Sequence, residues 1–269
     1  MMAILALAVF VQSLPAEEIV IEFVGEAGLI LTASDRQLVF DHFPAESDQM
    51  PDAIFVTNGN ADSFDHLAVL SFMEQSPETP VLMSASLATL AIENGQWPAF
   101  GEENWEENQY RYYRSLQTLY ADQHAPLNCL SGEALGFPGS TALLEPDGIC
   151  QHGYVGWDGR RNGDDENVFY VLPIAGRVVA ILGNFRLDAA TAYQWERGLI
   201  PQAEIVVYPA TLAGDPEGRE FLNQWFSDSY QIAYRLDGHF PESDALNMFG
   251  DEHVLMESGD QIVVDFGNQ

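Results

Sequence analysis

Lysine is missing from this 269-residue chain: its ten basic residues are all arginine and stand against 41 carboxylates, giving a formal charge of −31. So acidic a surface repels phosphate backbones and anionic lipid headgroups, which excludes nucleic acid and anionic membrane surfaces as partners. It leaves a solvated acidic shell, suited to salty surroundings, or a face for a basic protein. Cysteine is nearly missing too. Cys129 and Cys150 form no CxxC pair, which argues against a thiolate metal site or a dithiol redox centre. They either close one disulfide loop, worth about 3 kcal/mol on a chain-entropy argument, or stay as buried thiols. No G-x-S-x-G, P-loop or dinucleotide fingerprint occurs, so the usual serine-hydrolase and nucleotide-binding signatures are absent. Long apolar runs are absent beyond the amino terminus. Met1 to Val11 is apolar but shorter than the ~20 residues that span a bilayer, and Gln12 to Glu17 follow with Pro15 and Ala16. This reads as the apolar core of an export signal cleaved after Ala16, making residues 1–16 the signal and placing the protein in the periplasm or outside the cell. The basic flank of such a signal is lacking, since no Lys or Arg precedes Arg36. A buried first strand or a short anchor is the alternative.

What is present is a chain with a core. Apolar residues make up 47%, ample for a packed interior, and no repeat or internal boundary divides residues 17–269, which form one domain. Short alternating runs at Ile19–Val24, Leu29–Thr32 and Gln37–Asp41 predict hairpin strands. Strands are also predicted at Val81–Met83, Thr141–Leu144, Ile149–Val155, Val168–Ile174, Val178–Leu182, Ile205–Tyr208, Ile232–Leu236, Val254–Met256 and Ile262–Phe266. Helices are predicted from Phe64 to Gln75, with Asp62 or Ser63 as N-cap and Phe64, Leu67, Leu70 and Phe72 as the apolar face, and over Ser86–Asn94, Trp105–Tyr120, Ala189–Leu199 and Glu217–Phe226. Two sheet-plus-helix halves are compatible with a four-layer α/β sandwich.

The stretch with chemistry in it is Ile54-Phe-Val-Thr-Asn-Gly-Asn-Ala-Asp-Ser-Phe-Asp65. A β-branched run ends in a polar knot just ahead of a helix, which is where α/β proteins build sites. Alternate residues of an extended segment face one side, so Asn58, Asn60 and Asp62 can converge. Thr57 to Asp65 resembles the T-H-x-H-x-D-H-[LF]-D signature of the metallo-β-lactamase superfamily. The opening Val24-Gly-Glu-Ala-Gly28 and Leu38-Val-Phe-Asp-His-Phe43 is similar to that family's G-H-A-[SG] and [IL]-[IL]-x-D-P-[FW] segments, with Glu26 in place of a histidine and His42 in place of the proline. The match is closest to the lactonase-like branch, that of the L-ascorbate-6-phosphate lactonases. It runs from Ile19 to Phe266 and implies the αββα sandwich of that family.

The same resemblance implies a site that has lost its metal chemistry. Asn58, Asn60 and Ser63 replace three histidines, and Asp62 is kept. Further on, His152 resembles the third histidine of the first metal site, Asn184 stands where a bridging aspartate would be, and His239 resembles the last histidine. Zinc and similar ions take imidazole nitrogen, thiolate or carboxylate; amide oxygens suit harder cations. A neutral amide does not offset two adjacent dications, so no metal is expected and the metal-activated water of the family disappears. The expectation is therefore a pseudoenzyme, non-catalytic or altered, that binds a small molecule or a protein in the old cleft. The rival is a mononuclear hydrolase holding one zinc or other divalent transition metal on Asp62, His152 and His239, with Asp62 as base and His42 or His66 open to recruitment. A Ca²⁺ loop on Asn58, Asn60 and Asp62 lacks the glycine and glutamate of an EF-hand, and a Ser63 nucleophile lacks an oxyanion-hole pattern. Arg160 and Arg161, on the polar loop after His152, are either solvated or a clamp for a carboxylate or phosphate. A purely interacting acidic module is the third class.

Overall fold

The computed structural model of the chain describes residues 18–25, 27–33, 36–43, 50–59, 65–97, 116–119, 123–125, 153–157, 168–174, 177–183, 202–234, 254–255 and 257–265. Its first half contributes β1 (Ile19–Val24), β2 (Gly28–Ala33), β3 (Arg36–Phe40), β4 (Ala53–Phe55), α1 (His66–Gln75), β5 (Val81–Ser84), α2 (Ala85–Glu93), β6 (Leu116–Leu119) and β7 (Gln123–Ala125). The second contributes β8 (Gly153–Trp157), β9 (Val168–Ile174), β10 (Arg177–Ile181), β11 (Ile205–Pro209), α3 (Ala210–Gly214), α4 (Pro216–Trp225), β12 (Tyr230–Tyr234), β13 (Val254–Leu255) and β14 (Gln261–Val264).

Among the described residues these strands make two sheets, in the orders β14-β1-β2-β3-β4-β5-β6 and β13-β12-β11-β10-β9-β8-β7. Each sheet is antiparallel on one side and parallel on the other. In the first, β14 to β3 are antiparallel and β3 to β6 parallel. In the second, β7 to β10 are antiparallel and β10 to β13 parallel. The alternation of the strands decides the layering. Ile19, Ile21 and Phe23 of β1 face inward and meet Tyr170, Ile181 and Val207 of the other sheet in one central core. The outer faces carry the helices: Ile54, Val81 and Met83 pack under α1 and α2, and Phe169, Val206 and Tyr208 under α3 and α4. At roughly 1.5–3 kcal/mol for each large apolar side chain removed from water, these three clusters hold the four layers together. No helix among the described residues is long and apolar enough to cross a membrane.

Helix termini follow their caps. Asp65 accepts hydrogen bonds from the N–H groups of Leu67 and Ala68 at 3.0 and 3.1 Å, and Asp215 accepts from Gly218 N–H at 3.0 Å ahead of Pro216. The start of α1 thus differs from expectation, with Asp65 as cap. Its buried face differs too. Val69, Phe72 and Met73 point inward while Leu67 is 63% exposed, because the i, i+3, i+4 stripe places Leu67 about 200° round the helix from Val69. A second correction concerns Leu116–Leu119. The helix predicted to Tyr120 is replaced there by a strand, since Val81–Ser84 offers four residues an edge to pair with in parallel. The strand predicted from Ile149 is described from Gly153 to Trp157. Strand β7 and helix α3, both short, were not signalled by any periodicity. Residues 101–115, Thr141–Leu144, Ala189–Leu199, the amino-terminal 16 residues and both cysteines lie outside the described residues.

Candidate functional site

Apart from tyrosines, four polar side chains are buried among the described residues: Asp41, Thr57, Asn58 and Ser84. They do not scatter. Asp41 follows β3, Thr57 and Asn58 follow β4, and Ser84 ends β5, so all four sit at the carboxyl ends of three adjacent parallel strands. Buried polar groups are costly unless hydrogen-bonded, and these are bonded.

Thr57 is the hub. Its N–H donates to Asp41 Oδ1 at 2.7 Å and its hydroxyl donates to Asp41 Oδ2 in a very short bond. Its Oγ1 accepts from Asn58 Nδ2 at 3.0 Å. Its carbonyl accepts from Val168 N–H at 2.7 Å, and one residue earlier the carbonyl of Val56 takes the Tyr170 hydroxyl at 2.8 Å. Gly183 packs against the other side of Thr57. A Cβ at position 183 would stand 2.6 Å from Thr57 Cβ and Oγ1, and the backbone there has φ +58, so glycine is required twice over. One threonine therefore joins β3, β4, β9 and the end of β10.

Asp41 holds its position with φ 50, the left-handed region that aspartate tolerates better than most residues. Burial pushes its carboxyl up from 3.8 to about 7, while the two bonds from Thr57 pull the other way. Tyr234, at the end of β12, is held well above its ordinary value by burial and then by the charge of Asp41, so its phenol stays neutral. His42 lies against the β1–β2 turn, where a Cβ on Gly28 would come 2.7 Å from its own Cβ. Burial pulls its imidazole down, opposed by Glu22. His66 opens α1, and its carbonyl accepts from the Trp97 indole at 2.9 Å. Both histidines thus have local structural contacts.

The second sheet supplies the facing row. Through the register of β8 to β12, Trp157, Val168, Pro209 and Tyr234 lie level with the Gly183 end of β10. Four of the sequence-predicted residues follow strands that finish at this row: Asn184 follows Gly183, Arg160 and Arg161 follow Trp157, and His239 follows Tyr234 by five positions. His152 differs. It precedes Gly153, which begins β8 four residues, about 13 Å, from Trp157. Of the predicted site residues Asn58 is described, together with the recruitable His42 and His66; Asn60, Asp62, Ser63, His152, Asn184, His239, Arg160 and Arg161 lie outside the described residues.

Asn58 permits one test of fit to a transition metal. Its amide nitrogen is committed to Thr57 Oγ1, and an amide offers no imidazole nitrogen in any rotamer. This station does not fit a zinc-type ion. Among the described residues no group of three His, Cys, Asp or Glu side chains is placed to hold a metal. Asp41, Thr57 and Gly183 were not singled out as site residues in the sequence. The signal for them was there: Asp41 is the aspartate of the Leu38-Val-Phe-Asp segment, Thr57 opens the polar knot, and Gly183 precedes Asn184.

No protein-family model matches the chain, and no curated protein matches its sequence. Solved structures do match in shape. Igni18, a metallo hydrolase from the hyperthermophilic archaeon Ignicoccus hospitalis, superposes with a TM-score of 0.57 at 10% identity, over 93% of this chain and 99% of that one. A putative metal-dependent hydrolase from Parabacteroides distasonis gives 0.51 at 14% identity over 90% and 92%. An isothiocyanate hydrolase from Delia radicum gut bacteria gives 0.51 at 10% identity over 91% and 99%. Identities this low speak for architecture alone, and with the two facing sheets and their outer helices they settle it: this chain has the metallo-β-lactamase fold.

Proposed function

We propose that this protein is an exported pseudoenzyme of the metallo-β-lactamase fold, non-catalytic or altered, whose binuclear centre has been dismantled and whose old cleft binds a ligand. The observation that carries the reading is the Asn58–Thr57 bond: at the first ligand station a buried amide is satisfied by the protein itself. Asn60, Ser63 and Asn184 extend the replacement in the sequence. The ligand is a small molecule or a protein segment bearing a carboxylate or phosphate, taken by Arg160 and Arg161, since both follow a strand that finishes level with Gly183. In a chain of charge −31 a pair of adjacent arginines is a local exception, and a guanidinium fork matches such anions in two bonds.

Elemental analysis of protein purified without chelator tests this. The expected content is below about 0.2 equivalents of transition metal, given the missing imidazoles. Two tightly held ions per molecule would sink the reading.

The second reading is a mononuclear hydrolase using Asp62, His152 and His239. It draws support from the fold neighbours, named as metal-dependent hydrolases, and from β12, which finishes at the Thr57 end ahead of His239. The start of β8 at Gly153, away from that end, weighs against His152. One equivalent of metal, lost in His239→Ala together with activity, would favour it.

A further inference from the structure

We infer that the free edge of β14 is a docking site for an extended segment of a partner protein. The segment is apolar in its middle, carries a lysine or arginine at each end, and adds to the first sheet as a further strand. Among the described residues β14 ends its sheet and pairs with β1 alone. Phe23 N–H donates to the Asp260 carbonyl at 2.9 Å. Antiparallel neighbours exchange bonds at every second residue, so the bonds to β1 fall at Ile262, opposite Ile21, and at Val264, opposite Ile19. Gln261 and Val263 hold the alternate positions, and their N–H and C=O groups turn to the open edge. Those two residues are also the exposed ones of the strand, while Ile262 and Val264 are buried. Nothing inside the strand blunts this edge. It has no charge, no proline and, by its unbroken register against residues 19–22, no bulge. Val263 is 52% exposed and lies opposite the half-buried Val20 on the outer face of the sheet.

The charge around the edge selects the occupant. In β1, in β14 and in the described residues flanking them, every ionisable side chain is a carboxylate. Glu18 and Asp265 stand at one end; Glu22, Glu257 and Asp260 stand at the other. A second copy fits badly. Its β14, laid antiparallel with Gln261 facing Val264, would set Asp260 against Asp265 twice, and each copy brings a formal charge of −31. Like charges directly opposed destabilise a strand pair. A segment with basic residues about 17 Å apart, roughly five strand steps, meets both acidic ends at once. Between them its backbone takes the open groups of Gln261 and Val263, and one apolar side chain covers Val263. Main-chain bonds supply the affinity, and the carboxylates supply the choice of partner. Strands β1, β2 and β3 lie between this edge and β4, so the inference does not depend on what the cleft binds.

Hydrogen exchange on the full chain, read by nuclear magnetic resonance, tests this. The probe is a capped peptide of alternating valine and threonine, about six residues long, with a lysine at each end. On its addition the Gln261 and Val263 N–H groups should become protected, while those of Ile262 and Val264, already bonded to β1, change little. The same peptide ended by glutamates should bind about tenfold more weakly at low salt, and about 0.5 M salt should narrow that gap. The gap should also narrow in the double variant Glu18→Lys with Glu257→Lys. Protection of Gln261 and Val263 before any peptide is added overturns the inference. With a dimer by light scattering it assigns the edge to a second copy, and with a monomer to another segment of this chain. A lysine-ended peptide that leaves those two amides unprotected at about 1 mM also overturns it, as does a glutamate-ended peptide that binds equally well.

Discussion

The two sheets share a plan, antiparallel on one side and parallel on the other, yet their facing strand ends are built from different materials. The first sheet ends β3, β4 and β5 in Asp41, Thr57, Asn58 and Ser84, all buried. The second ends its level row in Trp157, Val168, Gly183, Pro209 and Tyr234. One side supplies hydrogen-bonding groups. The other supplies close backbone approach at Gly183 and the neutral phenol of Tyr234. Changes on the first side should therefore be read out through hydrogen bonds and ionisation, and changes on the second through steric fit.

The largest expected difference is in pH dependence. The Asp41 carboxyl is pushed from 3.8 to about 7 in the folded chain, so the folded state holds this proton more tightly than the unfolded one. Stability is then highest below about pH 4 and falls as pH rises to about 7, by about 4 kcal/mol from this group. With −31 formal charges the remaining carboxylates push in the same direction, so the check is a difference: urea unfolding at several pH values should show a shallower slope in Asp41→Asn than in the parent. Tyr234, on the opposite row, contributes nothing in this range because its phenol stays neutral. Equal slopes in parent and variant would erase the contrast between the rows.

Gly183→Ala is the steric counterpart. Its new methyl would meet Thr57 at 2.6 Å on a backbone of φ +58, and rigid neighbours leave it nowhere to go, so about 3 kcal/mol of stability is lost. Thr57→Val, on the polar side, keeps the shape and removes the hydroxyl. It leaves Asp41 Oδ2 and Asn58 Nδ2 without that partner, at about 2 kcal/mol. Denaturant midpoints for the pair measure both. The double variant Thr57→Ser with Gly183→Ala should recover little of the first loss, because serine keeps the Cβ and Oγ that stand 2.6 Å from the new methyl and removes only the methyl carbon at 3.0 Å, and it avoids the second loss because the hydroxyl stays.

Much of this division could be read before the fold was known, and the part that could not has a physical reason. Strand runs such as Ile19–Val24 and Ile205–Pro209 carry their burial in their own alternation or apolarity, so their presence was legible. Leu116–Leu119 was not, because a four-residue strand at a sheet edge is decided by the partner it finds. The polar knot after Ile54 was legible as the end of a strand, and Asn58 is buried just after β4. Asp41 was passed over because sixteen residues of sequence separate it from Thr57, and no local pattern reports a bond across two strands. The level of Gly153 against Trp157 was equally hidden, since register is a property of the paired sheet.

The smallest effect separates the polar row itself into two kinds of residue. Ser84 is buried at the end of β5, but its Oγ accepts from Leu87 N–H at 3.1 Å, which makes it the N-cap of α2. Nothing in that bond touches the Asp41–Thr57–Asn58 chain. Ser84→Ala should cost about 1 kcal/mol, the ordinary worth of a cap, and should leave the Asp41 midpoint and the Asn58 amide signals where they are. A stability loss with unmoved signals assigns Ser84 to the helix and narrows the polar site to the three residues around Thr57. A shifted Asn58 signal in Ser84→Ala would instead make the ends of β3, β4 and β5 one coupled unit, and the contrast between the two sheets would then rest on four residues acting together.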